Sequence, residues 1–142
     1  MPIGSRLTRG QGFIGALKVS GPLNYRAPLV IVTANTTLTA EDSGKVVVIN
    51  AAATRTITLP AASTTGLRFT ITHQVASTSG NGHLIDPAGT DLVRGNGFTP
   101  AAGKGAVCTQ TTSRIGDSIT LVSDGVSAWY IESVTGTWAR EA

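Results

Sequence analysis

The chain has 142 residues, enough for one domain whose core needs neither disulfides nor a metal to hold it. Charged residues make up 13%, against roughly 25% in ordinary soluble domains, and the single Cys108 excludes both an intrachain disulfide and a cysteine-only zinc cluster. The formal charge of +3 belongs to the N-terminal stretch: residues 1–28 carry Arg6, Arg9, Lys18 and Arg26 and no acid, while bases and acids nearly balance from residue 29 onward.

Residues 1–28 read as an extended arm. Gly4, Gly10, Gly12, Gly15 and Gly21 oppose a helix, and Pro2, Pro22 and Pro28 remove ladder donors. Phe13, Ile14, Leu17 and Val19 interrupt the glycines with apolar anchors, so the arm is expected to dock on the body or on a neighbour. Its four charges are too widely spaced for a nucleic-acid tail, and no nucleic-acid partner is expected. GFIGALKV is broken by Gly15 and Lys18, so no secretory leader is expected. No apolar run approaches the ~18 residues of a membrane span, so no membrane partner is expected.

The body, residues 29–142, is predicted to be all β. It opens with LVIVTA at 29–34. The apolar run at 45–50 comes next, followed by TRTITL at 54–59 and LRFTITH at 67–73, in which apolar and polar residues alternate. Period-two alternation gives a strand one buried and one solvated face. EDSG, NAAA and PAASTTG are the turns between them. Weaker strands are expected at 83–86 and 106–111, then two clear ones at 117–124 and 128–134, joined by a hairpin turn at Asp124-Gly125-Val126-Ser127. Strands spaced ~8–12 residues apart, with no sustained helical period, predict an antiparallel sandwich or barrel. Glycine-rich stretches at 76–82 and 87–106 are expected to be contact loops.

No constellation of catalytic residues emerges. Gly10-Gln11-Gly12-Phe13-Ile14-Gly15 matches GxGxxG but lacks the preceding strand and following helix that a dinucleotide site needs. Gly97 to Lys104 approximates a phosphate loop with one residue too many, and Gly105 stands where a magnesium-binding hydroxyl belongs. His73 and His83 could join Asp86 or Asp91 at a metal, but the ligand spacing is wrong, and His73 falls on the apolar side of its strand. Cys108, flanked by apolar residues, reads as a buried inert thiol. No cofactor, metal or enzymatic activity is expected. If Trp129 and Ile131 face the core, Tyr130 and Glu132 face outward, and Phe98, Tyr130 and Trp138 are the candidate aromatic contacts for a partner; the alternative is that Trp129, Tyr130 and Trp138 together close one end of the sandwich.

The run TLTAEDSGKVVVINAAATRTITLPAASTTGLRFTI resembles a segment recurrent in virion proteins of tailed bacteriophages. GDSITLVSDGVSAWYIES is similar to the closing hairpin of the same group. The nearest resemblance is to small capsid decoration, or cement, proteins. It implies a jelly-roll-like antiparallel β-sandwich bound to the outer surface of the icosahedral head. It also implies two partners: the major capsid protein, which it bridges, and further copies of itself, as a dimer or else a trimer. In that setting the arm residues Arg6, Arg9, Phe13, Ile14, Lys18 and Arg26 are the expected capsid contacts. A tail-fibre or appendage domain is the alternative, and a carbohydrate-binding module a further one.

Overall fold

The computed structural model of the chain describes residues 26–78 and 82–142. The arm contacts Arg6, Arg9, Phe13, Ile14 and Lys18, and most of the expected arm with them, lie outside the described residues. Arg26 lies inside and is exposed.

Eleven strands follow one another: β1 (Leu29–Val32), β2 (Thr36–Thr37), β3 (Val46–Ile49), β4 (Thr56–Thr58), β5 (Thr65–His73), β6 (His83–Asp86), β7 (Leu92–Arg94), β8 (Ala106–Cys108), β9 (Ser118–Asp124), β10 (Ala128–Thr135) and β11 (Ala139–Arg140). A one-turn 3-10 helix, Ala40–Asp42, precedes β3. The Asp42 carboxylate ties this turn down by accepting from the Thr39 N–H at 2.9 Å and from Lys45 Nζ at 2.7 Å. The Lys45 contact is the main reason the Asp42 carboxyl sits below its ordinary pKa. The EDSGK stretch is therefore a structural clasp at the entrance to β3.

The strands form a six-stranded sheet in the order β1-β3-β5-β9-β10-β7 and a five-stranded sheet in the order β11-β8-β6-β4-β2. From β1 to β8 the chain alternates between the two sheets at every step. Each strand therefore meets its sheet neighbour only after passing through the opposite layer, and as far as β6 these pairs are parallel: β1 with β3, β3 with β5, β2 with β4 and β4 with β6. Antiparallel pairing is confined to β5–β9–β10 and to β6–β8–β11.

The expectation of a purely antiparallel sandwich is thus corrected: both sheets are mixed. Alternation with period two reports that one face of a strand is buried, but it carries no information about direction. The short turns between alternating segments resemble hairpin turns in composition. Here they lead from one sheet to the other. The expected contact loop at 87–106 also contains a strand, β7, which pairs in parallel with β10.

Both sheets turn one face toward a single apolar core. Val47 and Ile49, Phe69 and Ile71, Ile119 and Leu121, and Trp129 enter it from the larger sheet; Ile57, Leu59, Ile85 and Ala106 enter from the smaller. The Phe69 and Trp129 rings pack at 5.6 Å between centroids. Burying a side chain of this size contributes about 1.5–3 kcal/mol, so this alternating set is the main stabilising term of the fold.

The expected hairpin joins β9 to β10. Asp124 Oδ1 accepts from the N–H groups of Val126, Ser127 and Ala128 at 2.8–3.0 Å. Gly125 adopts φ +82°, and a Cβ there would overlap the Thr65 side chain. Gly125→Ala is expected to destabilise the protein by about 1–3 kcal/mol. Urea unfolding measures it, and an unchanged midpoint would contradict this account of the turn.

Candidate functional site

Two kinds of surface and one buried polar cluster stand out. The cluster lies at one end of the sandwich, where two connections between the sheets meet. His73 ends β5 and His83 begins β6. Cys108 ends β8 and sits directly opposite His83 in the antiparallel register. Asp117 leads into β9. All four are buried, as are Ser77, Ser113 and Trp138 beside them.

Hydrogen bonds knit the cluster together. The Cys108 thiol reaches Asp117 Oδ2 at 3.4 Å, and the same oxygen accepts the Arg114 N–H at 2.7 Å. Ser113 Oγ lies 3.3 Å from His73 Nδ1 and accepts the Ser77 N–H at 3.0 Å. The Arg55 N–H donates to His83 Nδ1 at 3.2 Å. The two imidazoles meet edge to face at 4.7 Å between centroids, and Trp138 packs on His73 at 5.5 Å. His73 Nε2 and His83 Nε2 are buried without a well-formed hydrogen bond, although the Val75 backbone lies near enough to His83 to favour its charged form.

Burial, reinforced by the neighbouring His83, pushes the His73 pKa down to about 4, and burial lowers that of His83. Burial and the Asp117 carboxylate push the Cys108 thiol up to about 12. At neutral pH the cluster therefore contains neutral imidazoles and a protonated thiol. A thiol so protected from ionisation is a poor nucleophile.

The outer surfaces are different in character. Thr56, Leu84, Val107 and Ala139 stand in register across the smaller sheet and floor a trough of about 600 Å³, with Arg140 and Glu141 among its lining residues. On the larger sheet, β1 is a marginal strand, and its Leu29 and Ile31 are 58% and 60% exposed. Tyr130 on β10 is half exposed, and its neighbour Glu132 pairs with Arg68 at 2.7 Å on the open surface. An ion pair this exposed contributes little.

The three aromatic contact candidates separate. Tyr130 is at the surface as expected. Phe98 is half-buried and packed against the core. Trp138 is only 6% exposed, which corrects its assignment as a contact residue. Its indole N–H donates to the Thr135 carbonyl at 3.0 Å and its ring covers His73, so it closes the end of the sandwich.

In the sequence, Asp86 and Asp91 are the acids that could join the two histidines, though without metal-ligand spacing. The structure joins them to Cys108 and Asp117 instead. Asp91 accepts the Ala62 N–H at 2.7 Å, and Asp86 is placed near Glu141 and Lys104. Asp117 had been legible only as the first residue of a strand.

No family model matches the chain, and no curated protein matches it significantly. No described helix is long and apolar enough to cross a membrane.

The cluster predicts acid sensitivity. His73 has a folded pKa below its ordinary value of 6.5, so the unfolded chain takes up a proton that the folded chain refuses. Stability is complete above pH 6.5, falls as the pH drops toward about 4 and levels off below that. His83 acts in the same direction. The loss attributable to His73 is on the order of 3 kcal/mol. Urea midpoints between pH 8 and pH 4 measure it, and a flat profile would contradict neutral buried imidazoles.

Proposed function

We propose that the chain is a non-enzymatic structural protein of a bacteriophage virion, bound to the outer surface of the capsid head, where it bridges major capsid protein subunits. The observation that carries this reading is the margin of the larger sheet. β1 presents Leu29 and Ile31 to solvent, and it follows immediately after the acid-free, basic stretch of residues 1–28. A basic lead-in beside an apolar strand margin suits an acidic shell with apolar crevices between its subunits. The resemblance of residues 36–73 to virion proteins supports the same reading.

The rest of the body fits a clamp. Its surface carries few charges, which favours close packing beside further copies, as a dimer by preference or a trimer. A ligand that binds only the assembled lattice stabilises that lattice by mass action. The jelly-roll-like form implied by the resemblance belongs to this proposal too, with the two sheets as its layers.

A second reading, a tail-fibre or appendage domain, is favoured by the winding. Strands that alternate between two sheets with parallel neighbours can be extended by stacking further turns.

Mixing the purified protein with expanded empty heads and imaging by cryo-microscopy tests the proposal. A regular array on the shell is expected; density at the tail alone would favour the second reading. Removal of residues 1–28 is expected to leave a folded body that binds heads much more weakly. Replacing Arg6, Arg9, Lys18 and Arg26 by glutamine is expected to flatten the salt dependence of binding. Tyr130→Ala is expected to change stability by less than about 0.5 kcal/mol while weakening attachment or self-association. Wild-type binding by this variant would remove Tyr130 from the interface.

A further inference from the structure

We infer that His73, Cys108 and Asp117 form a binding site for one zinc ion at the end of the sandwich. A side-chain nitrogen, sulfur and oxygen from these three buried residues lie within 4.8 Å of one another. Tetrahedral zinc, at ~2.3 Å from sulfur and ~2.0–2.2 Å from nitrogen or oxygen, needs ligand atoms roughly 3.5 Å apart. The Cys108 sulfur and Asp117 Oδ2 are already at 3.4 Å, so only the imidazole has to close in. The donor set of thiolate, imidazole and carboxylate suits zinc better than calcium or magnesium, which take oxygen ligands.

Two further observations point to a ligand. His73 Nε2 is buried with no hydrogen-bond partner. Among the described residues no cation forms a salt bridge with the buried Asp117 carboxylate, whose Oδ2 accepts from the Arg114 N–H and the Cys108 thiol. A buried carboxylate without a counter-ion is costly, and a divalent cation supplies one. Binding would displace the thiol proton to solvent, leaving thiolate on the metal. His83 packs edge-on against the His73 ring and holds it in place, and a water molecule takes the fourth position. All three ligands are buried, so the ion is best admitted during folding.

The test uses the full chain, refolded from urea after chelation, with cobalt(II) as a spectroscopic stand-in and with zinc. Expected results are one equivalent of metal retained after gel filtration, a thiolate-to-cobalt charge-transfer band with tetrahedral visible bands, and a Tm that rises with the logarithm of free zinc. Cys108→Ser should abolish the charge-transfer band, and Asp117→Asn should weaken binding at least tenfold. If either variant fails to fold, the wild-type stoichiometry and spectrum still decide. No retained metal, or cobalt bound without a thiolate band, would overturn the site.

Discussion

The fold depends on one constraint: from β1 to β8 the chain must cross to the opposite sheet before it can find a hydrogen-bonding neighbour. Layers in a sandwich lie ~10 Å apart, so each crossing needs a turn that leaves one layer and enters the other. The Asp42–Lys45 clasp and the polar turn after Ile49 both serve such crossings. Because each crossing delivers the next strand with its apolar face inward, the same alternation fills the core from both sides. Ile57 and Leu59 meet the Phe69 layer because the chain arrives from the far sheet, not because it turns back on itself. Pairs such as Leu29 with Val46 and Val46 with Thr70 are far apart in sequence, which favours slow, cooperative folding over local nucleation.

The winding ends at β5 and β6, each of which has a parallel neighbour on one side and an antiparallel neighbour on the other. The buried polar cluster sits where pairing changes sense in both sheets. His73 closes β5, and its N–H donates to the Asp117 carbonyl at 2.9 Å just before β9 begins. His83 opens β6 opposite Cys108. Chain reversal at this point exposes backbone ends from both layers, and polar side chains are needed to tie them: Ser113 holds the Ser77 N–H and Asp117 holds the Arg114 N–H. An unsatisfied buried nitrogen costs about 1–3 kcal/mol, so leaving His73 Nε2 and His83 Nε2 without good partners offsets part of that gain. Gly82 is held at φ +91° in the same corner, where a Cβ would overlap the Cys108 carbonyl. The backbone at Gly82 therefore passes too close to β8 for any side chain at that one position, and Trp138 covers His73 beside it.

Much of this was legible in the residues. TRTITLP and LRFTITH alternate so regularly that β4 and β5 could be drawn with the correct inward faces, and Asp124-Gly125 marked the β9–β10 hairpin. Strand direction was not legible, because alternation is the same in a parallel and an antiparallel strand. The two-residue strands β2 and β11 are too short to carry any period. β7 was hidden because Leu92–Arg94 is embedded among glycines. The polar cluster was missed for a related reason. Its members come from β5, β6, β8 and the lead into β9, and only the antiparallel pairing of β5 with β9 makes neighbours of His73 and Asp117. Cys108 was correctly read as buried, but burial in an apolar-flanked strand does not reveal that a carboxylate lies against its sulfur.

The surfaces divide in a way that bears on how the protein is held. The trough on the smaller sheet is floored by Thr56, Leu84, Val107 and Ala139, short side chains that offer breadth but no anchor. The margin at β1 offers the opposite: a row of backbone groups with no strand beyond it among the described residues, and two large apolar side chains turned outward. An uncovered apolar strand margin is a hazard that proteins blunt with charge, proline or a covering segment. Here neither Leu29 nor Ile31 is flanked by a charged side chain within the strand. In the proposed role such a margin is tolerable, because the shell that covers it removes the hazard. On that proposal, the row left open among the described residues is the part best suited to gripping a larger assembly.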